Sequence, residues 1–218
     1  MPRLHPPQKS AVLELLPFVG IAPADISVPH AEHELCAAWA DLSAHSQIGF
    51  DTESRPTFVK GQESAGPDVV QFATPSRAYV LQLRHRGCVE LARSVLTARG
   101  VIKVGFDLRQ DQTQLLHRLG VQASPLLDLD RVFHREGYPR SIGIKSAVAI
   151  VFGQRFVKSK RVATTNWSNE RLDARQVLYA ANDAFVALRV LYALGLNSDE
   201  LRDLVVGGAG FEPATPAV

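Results

Sequence analysis

The hydrophobic pattern in the first half of the chain predicts several short β-strands. QIGFDTE and GVIKVG are isolated apolar runs, and the first of them ends in acidic residues. DVVQFATP and RAYVLQLR are strand-like runs separated by Pro75 and Ser76, a pair typical of a hairpin turn. SPLLDLD is shorter and predicts either a strand or a turn. Between the first strand and the hairpin, SRPTFVKGQESAGP has the composition of a loop.

Apolar residues spaced three and four apart predict helices around these strands. The first helix would place Leu35, Ala38, Trp39 and Leu42 on one face. Another, at about residues 107–119, is expected to end at Gly120, because glycine accepts the left-handed conformation that terminates helices. Further helices are predicted at about residues 88–98, in RVFHRE, in SIGIKSAVAIVFG and in RLDARQVLYAANDAFVALRVLYALG. Together these elements predict an α/β fold, a mixed β-sheet flanked by α-helices in a single domain.

Composition divides the chain into an arm, a domain and a tail. The first 30 residues contain six prolines and little periodicity, which predicts an extended arm that packs on the domain without building it. We place the arm at residues 1–24, the domain at 25–200 and the tail at 201–218. The tail ends in GGAGFEPATPAV, whose glycine, alanine and proline content predicts disorder or loose attachment.

Bulk composition narrows the class of protein. The chain has 218 residues, is 46% hydrophobic and 21% charged, and carries a formal net charge of +2, so nucleic-acid affinity would need a local basic patch. No apolar run that reads as a membrane segment or a signal peptide is recognised, and we expect no membrane partner and a cytoplasmic location. Cys36 and Cys88 lie in apolar surroundings without metal-ligand spacing and are expected to be buried free thiols.

Acidic residues in three separate segments carry most of the chemical information. Asp51 and Glu53 are two apart, so on a strand they point to the same side, at its carboxyl end. Tyr179 and Asp183 are four apart and share one helix face, beside alanines that permit close packing on a sheet. Clustered carboxylates usually require a divalent metal ion to offset their repulsion, so these residues together with Asp111 predict a hard-oxygen metal site.

Each acidic position also has an ordinary structural interpretation. An Asp-x-Glu pair can simply be a solvated strand end, and Asp111 can serve the helix dipole of its first turn. Asp107 competes with Asp111, because it is well placed as an N-cap. Tyr179 can be a core aromatic residue with a hydrogen-bonded hydroxyl. Only the combination of segments makes the metal interpretation specific.

The five residues, in this order, resemble the three motifs of the DEDDy 3′–5′ exonucleases. The surrounding segments GFDTESRPTF, KVGFDLRQDQTQLL, GIKSAVAIVFGQRFVKSKRVATTNWS and LYAANDAFVALRVL are similar to the Werner-syndrome exonuclease domain and its bacterial relatives, and more distantly to ribonuclease D. The resemblance runs from about residue 25 to about residue 195. It implies a ribonuclease-H-like fold and two-metal hydrolysis of phosphodiesters from a 3′ end, with release of nucleoside monophosphates.

The resemblance also implies a role for each residue. Two Mg²⁺ or Mn²⁺ ions would be held, with Asp51 between them, Glu53 and Asp183 completing one, and Asp111 supporting the other directly or through water. Tyr179 would orient the attacking water, since a phenol with an ordinary pKa near 10 is a poor base at pH 7. Ser54 and Thr113 depart from the residues common in relatives, which affects the expected shape of the terminal-nucleotide pocket.

Basic residues and one aromatic residue are candidates for contact with single-stranded or 3′-ended DNA or RNA. Plain solvated loops are the alternative for these positions. The candidates are Arg55, Phe58, Lys60, Arg155, Lys158, Lys160 and Arg161. Trp167, in contrast, is expected to pack the basic loop onto the following helix.

Two other functions stay open at this point. One is a nucleic-acid-binding module that keeps the fold without turnover, and the other is an exoribonuclease that processes RNA. The complete carboxylate set favours an active enzyme over the silent module. The sequence leaves open whether DNA or RNA is preferred, because two-metal chemistry acts on the phosphate.

Overall fold

The computed structural model describes residues 4–56, 66–138 and 141–205. The strands are β1 (Ile26–Ser27), β2 (Gln47–Glu53), β3 (Val69–Ala73), β4 (Ala78–Gln82), β5 (Ile102–Gly105) and β6 (Leu126–Asp128). The helices are α1 (Lys9–Glu14), α2 (Glu32–Ser43), α3 (Arg86–Thr97), α4 (Arg109–Leu119), α5 (Leu129–Arg135), α6 (Ile144–Phe152), α7 (Lys160–Ala163), α8 (Ala174–Leu194) and α9 (Ser198–Leu204). A 3₁₀ turn covers Pro23–Asp25.

The described strands form one mixed sheet in the order β1-β4-β3-β2-β5-β6. β3 is antiparallel to both β2 and β4, as the hairpin prediction requires, whereas β2, β5 and β6 run parallel. β2 therefore lies inside the sheet. Its first residues, Gln47 to Gly49, pair with β5, whereas its carboxyl end pairs only with β3. The expected mixed sheet flanked by helices is confirmed.

Two helical layers cover the sheet. Ile48 and Phe50 of β2 point into a core shared with α2, α3 and α4, whereas α6 and α8 cover the other face. Gly49 lies against α8, where an added Cβ would come within 1.9 Å of the Ala184 carbonyl oxygen. Together with Ala180 and Ala181, this glycine lets α8 approach the strand closely.

Of the two predictions made for the ends of α4, one is confirmed and one is wrong. Gly120 ends α4 in the left-handed conformation, as expected. The N-cap prediction for Asp107 is wrong, because Asp107 has a φ of 55° and the cap position is Leu108 without a side-chain bond. Instead, the Asp128 carboxylate accepts the backbone N–H groups of Asp107 and Leu108 at 3.0 and 3.1 Å.

The N-terminal segment is more structured than the extended arm that we expected. It contains α1, and its Phe18 N–H donates to the Arg155 carbonyl at 2.9 Å. β1, inside the first 30 residues, pairs with β4 and so builds the sheet edge. At the other end, α9 crosses the predicted boundary at residue 200 because Leu204 is buried in the core; residues 206–218 lie outside the described part of the chain.

Three further expectations have outcomes here. Trp167 is buried and donates its indole N–H to the Ala163 carbonyl at 3.2 Å, which confirms its packing role. Both cysteines are free, but only Cys88 is buried and Cys36 is exposed, contrary to the expectation that both are buried. α8 is long and apolar enough to cross a membrane by length and composition, but it is the core helix on which the sheet packs.

Candidate active site

Strand alternation carries the first two acidic residues to the face that α8 covers. Asp51 and Glu53 occupy the carboxyl end of β2, on the side opposite the buried Ile48 and Phe50. Thr52 lies between them and points the other way. A carboxyl end inside a sheet is where ligands of open α/β folds gather.

α8 brings Asp183 onto the same site. Asp183 is 2% exposed, and one oxygen each from Asp51, Glu53 and Asp183 lie within 4.8 Å of one another. Tyr179 lies one turn earlier on the same helix face. A capping box at Asp173, whose carboxylate accepts from the N–H groups of Arg175 and Gln176, stabilises the start of this helix.

Asp111 stands beside the group of three and is not part of it. It lies in the first turn of α4, and the Thr52 hydroxyl donates a hydrogen bond to its Oδ1. Burial and the charge of Asp51 raise the pKa of Asp111 to about 7, so the two carboxylates interact. The predicted acidic residues therefore meet at one place, three in a tight group and the fourth next to it.

Burial and mutual repulsion raise the pKa values of the clustered carboxyl groups, which disfavours their charged forms. Burial, and then the charge of Asp183, raises the pKa of Asp51 to about 7, and burial and the charge of Asp51 raise that of Glu53 to about 9. Burial also raises the pKa of Asp183 to about 6, although Lys158 opposes the change. The site therefore disfavours free carboxylates, and either protonation or a bound cation relieves their charge.

Lys158 supplies part of the missing positive charge. Its ammonium lies 2.7 Å from Asp183 Oδ2 and 4.9 Å from the centre of the Tyr179 ring. Burial alone would lower the pKa of Lys158, but the charges of Asp183 and Asp51 outweigh burial and raise it. Lys158 is thus held in its charged form against the acidic cluster.

Tyr179 keeps its proton in this environment. Burial, and then the charge of Asp183, raises the pKa of the phenol above its ordinary value of 10.0. The ring also packs against Trp167, with centroids 5.9 Å apart. A protonated, firmly packed hydroxyl can donate or accept a hydrogen bond, which agrees with an orienting role and not with that of a base.

The donor set fits a divalent cation. Apart from the ion pair with Lys158, both oxygens of Asp183 are buried without a hydrogen-bond partner among the described residues. Buried carboxylates are ordinarily satisfied, and a ring of carboxylate oxygens matches the ligand preference of hard divalent metals. Asp51, Glu53 and Asp183 are the residues placed to hold such an ion.

Comparison with known proteins decides the family. A family model described as 3′–5′ exonuclease matches residues 26–197. The chain belongs to the 3′–5′ exonuclease family. The expected resemblance is confirmed, and the acidic positions proposed from the sequence lie within the matched segment.

Individual relatives agree with this assignment. The mouse bifunctional 3′-5′ exonuclease/ATP-dependent helicase WRN is 25% identical over 194 residues, which cover 86% of this chain and 14% of that protein. The Aedes aegypti Nibbler EXO domain superposes with a TM-score of 0.70 and 21% identity, covering 85% of this chain and 97% of the domain. The Trypanosoma brucei RNase D complex with RNA has a TM-score of 0.69 at 22% identity, covering 88% and 66% of the two chains.

Two conclusions follow for this member of the family. Its fold is the ribonuclease-H-like mixed sheet that the motifs implied, since the solved neighbours are exonuclease domains of that architecture. The chain spans only 14% of the length of the mouse WRN protein that it matches.

The predicted nucleic-acid contacts divide into several groups. Lys158 pairs with Asp183, so it belongs to the acidic cluster as well as to the basic loop. Arg55 is held by Asp68, whose Oδ2 accepts a hydrogen bond from the backbone N–H of Arg55 at 3.0 Å. Lys160 and Arg161 are exposed on α7, a turn of helix inside the predicted loop. Phe58 and Lys60 lie outside the described residues.

The positions that depart from the family pattern lie beside the acidic cluster and outside its tight group. The Ser54 hydroxyl donates to Gln114 Oε1 at 3.1 Å, which links the end of β2 to α4. The Thr113 hydroxyl donates to the Arg109 carbonyl of its own helix at 3.4 Å.

A cavity of about 330 Å³ opens beside Asp183 of the acidic cluster. Tyr179 and Asp183 form one wall, and Lys158, Ser159 and Arg161 form another. The cavity therefore joins the acidic cluster to the basic segment. A phosphate-bearing ligand placed here would contact cations on one side and Asp183, one of the metal-ligand candidates, on the other.

Two residues of the site went unnoticed in the sequence. Thr52 was detectable, since alternation between Asp51 and Glu53 sends it to the opposite face, toward α4. No sequence pattern points to Gln71, because its position in the site depends on strand pairing. It is the cross-strand partner of Asp51. Both polar atoms of the Gln71 side chain are buried without a hydrogen-bond partner among the described residues.

Proposed function

We propose that the chain is a metal-dependent 3′–5′ exonuclease that hydrolyses nucleic-acid phosphodiesters from the 3′ end and releases nucleoside monophosphates. The observation that carries the proposal is the approach of Asp51, Glu53 and Asp183 to within 4.8 Å of one another at a strand end. A cation bound by one buried and two half-buried carboxylates explains this costly arrangement. Family membership supplies the reaction class.

The metal would be Mg²⁺ or Mn²⁺, and two ions would be held by Asp51, Glu53, Asp183 and Asp111. Bound metals supply a nucleophilic water at neutral pH and stabilise the charge of the attacking and leaving oxygens. Asp111 is the natural support for a second ion, because it lies beside Asp51 and is fixed by Thr52. The oxygen-only donor set favours these hard ions over zinc.

The chain's own residues position the reacting groups. Tyr179 retains its proton and is packed against Trp167, so its hydroxyl can hold a water molecule by a hydrogen bond. Lys158 is the cation nearest to the carboxylates and can compensate the charge of an arriving phosphate. Because burial around the cluster excludes solvent, each of these contacts is stronger than it would be in water.

The substrate would be a single-stranded or 3′-ended DNA or RNA. A specific observation keeps the RNA-processing alternative: one solved neighbour is an RNase D bound to RNA. Rates on DNA and RNA strands of matched sequence distinguish the two substrates. A preference for RNA of tenfold or more would identify an exoribonuclease.

The activity test uses a strand labelled at its 5′ end, with Mn²⁺, Mg²⁺ or EDTA. The wild-type chain should shorten the strand one nucleotide at a time only with metal, and Asp51→Asn and Asp183→Asn should abolish the shortening. Asp25→Asn is the matched control, because Asp25 is exposed before the amino end of the edge strand β1, whereas the acidic cluster lies at the carboxyl end of β2, at the other end of the sheet. Binding without shortening in the wild type would instead identify a silent module.

We further propose a cytoplasmic location. The free thiols of Cys36 and Cys88 support it, because reducing compartments keep cysteines unpaired. A tagged chain found in an oxidising compartment would contradict the proposal.

A further inference from the structure

A basic groove lies between the N-terminal arm and the segment that follows α6. It has a volume of about 600 Å³, and its cations are Lys9, Lys145, Arg155, Lys158 and Lys160. We call it the arm groove. Lys9 lies in α1, before the segment that matches the exonuclease family model. The groove therefore combines the family domain with a segment outside it.

The arm groove has an excess of positive charge. No carboxylate is among its described lining residues. Within the described ranges, Lys9, Lys145, Arg155 and Lys160 make no ion pair, although four arginines elsewhere in the same ranges pair with acids within 3.5 Å. The Arg155 Nε is buried without an acceptor there. Uncompensated cations gathered in one depression are the footprint of an anionic partner.

The arm is fastened well enough to form a wall of this groove. Arg155 exchanges backbone hydrogen bonds with the arm at 2.9 Å, accepting from Phe18 and donating to the Leu16 carbonyl. The Phe18 and Phe152 rings lie 5.1 Å apart. Farther along, the Asn182 side chain accepts the Ile21 N–H at 3.1 Å, on the same helix as Asp183. The arm is thus tied to the loop and to the catalytic helix.

The groove joins the acidic cluster through Lys158. Lys158 lines the groove and also lies 2.7 Å from Asp183, so a chain in the groove would continue into the site. The groove also presents exposed apolar side chains, with Leu13 67% and Val157 70% exposed. Cations alternating with apolar surface suit a single strand, whose phosphates meet the cations while its unpaired bases meet the apolar side chains.

We propose that the arm groove binds the phosphate backbone of a single strand on the 5′ side of its reacting 3′ end. This inference rests on the proposed exonuclease function, since it assigns the path of that substrate. It makes the segment before the family domain part of the substrate-binding surface. Lys9 and Lys160 are the residues to test, because both are exposed and neither belongs to the carboxylate cluster.

The test measures binding of a fluorescent 12-nucleotide single strand in EDTA at several salt concentrations. Each phosphate contact contributes about 0.7 to the slope of log affinity against log salt for single strands. The double variant Lys9→Gln/Lys160→Gln should therefore flatten the slope by about 1.4, and Lys9→Gln alone by about 0.7. The control Arg77→Gln/Arg99→Gln loses the same charge from exposed positions near the amino end of β2, at the opposite end of the sheet from the acidic cluster, and should keep the wild-type slope.

The outcomes separate this inference from the proposed function. Binding in EDTA needs no turnover, so wild type that binds but never shortens a strand with Mn²⁺ contradicts the function and leaves the groove assignment standing. An unchanged slope for Lys9→Gln, or an equal loss in the control pair, overturns the groove. Equal displacement of the strand by polyglutamate of the same charge also overturns it, because the groove would then select no nucleic-acid strand.

Discussion

Asp183 is the side chain whose surroundings depend most on a bound cation. It is 2% exposed, and apart from one ion pair its oxygens lack hydrogen-bond partners within the described residues. That ion pair, with the Lys158 ammonium, is what balances its negative charge. A carboxylate in this position is costly unless a charge balances it. Binding of metal should therefore be visible as stability, independently of any reaction.

We expect Mn²⁺ or Mg²⁺ to raise the melting temperature of the wild-type chain. A ligand present at a hundred times its dissociation constant stabilises the folded state by about 2.7 kcal/mol. For a chain of this size, that is an increase of several degrees. Asp183→Asn should lose most of the increase and Asp25→Asn should retain it, as measured by scanning calorimetry with and without EDTA. Equal increases in both variants would place the metal elsewhere.

Gln71 is a second residue with unmet polar groups near the cluster. It is the cross-strand partner of Asp51, and alternation turns it toward α8 with Val69 and Ala73. An unsatisfied buried amide costs about 1–3 kcal/mol. A sequence under selection only for stability would place an apolar residue there, so we interpret Gln71 as a group that orients Asp51 or what Asp51 binds.

Gln71→Met should raise the free energy of unfolding by about 1 kcal/mol and lower kcat by about 10- to 100-fold. Met keeps the volume and removes the amide, so the two effects should separate in urea unfolding and steady-state kinetics. Val80→Met, on the same face of the neighbouring strand, is the packing control. A destabilised Gln71→Met variant with full activity would show that the amide is satisfied and structural.

The placement of the site residues was predictable only where it depends on neighbours in the sequence. Alternation along one strand was enough to put Asp51 and Glu53 on the same side, and helical spacing did the same for Tyr179 and Asp183. The ion pair between Lys158 and Asp183 joins positions 25 residues apart in the sequence, and no periodicity reports it. The competition between Asp107 and Asp111 was likewise decided by Asp128, which holds the turn before α4.

At the scale of elements, β5 depends on a buried lysine. Lys103 is fully buried, and its ammonium donates to the Ala98 carbonyl at 3.1 Å and the Ser124 carbonyl at 2.8 Å. It thereby ties the strand to the end of α3 and to the entry of β6. Burial lowers the pKa of Lys103 from 10.5 to about 7.

This shift makes stability depend on pH in a stated direction. Between about pH 7 and pH 10.5 the unfolded chain binds more protons at Lys103 than the folded chain, so the free energy of unfolding rises with pH across that window. The rise is at most about 1.4 kcal/mol per pH unit. Below about pH 7 both states hold the proton, and the dependence on this group disappears.

Urea unfolding at several pH values between 7.5 and 9.5 tests this expectation. Lys103→Met should show a flatter rise of stability with pH than the wild type, and Lys160→Met, an exposed lysine, should follow the wild type. Other titrating groups are common to all three proteins and cancel in the comparison. Parallel curves for Lys103→Met and wild type would mean that Lys103 titrates normally in the folded chain.

Element prediction succeeded where the local pattern and the tertiary environment agree. β2 was expected as QIGFDTE and is Gln47–Glu53, because its apolar residues face a core and its acidic residues end the run. α9 and β1 were not anticipated. Leu204 and the pairing of Ile26 with β4 are stabilised by distant partners, which a single stretch of sequence does not reveal.

At the scale of the whole molecule, charge distribution matters more than net charge. The formal net charge is only +2, but Lys9, Lys145, Arg155 and Lys160 line one groove that leads to the acidic cluster. The phosphates of a long strand should contact all of these cations. A dinucleotide that occupies only the acidic cluster should contact few of them, so the salt dependence of turnover should depend on substrate length.

If the four cations each contact one phosphate, log kcat/KM for a 12-nucleotide strand should fall with log salt at a slope of about −2.8. Between 50 and 200 mM salt this is a loss of about fifty-fold, whereas a dinucleotide should lose only a few-fold. The reason is that counterion release scales with the number of neutralised phosphates, and a dinucleotide has only one internucleotide phosphate to offer. Initial rates with saturating Mn²⁺ measure both slopes, and the Arg77→Gln/Arg99→Gln variant controls for general charge effects. Identical slopes for the two substrates would mean that the strand leaves the acidic cluster by another path.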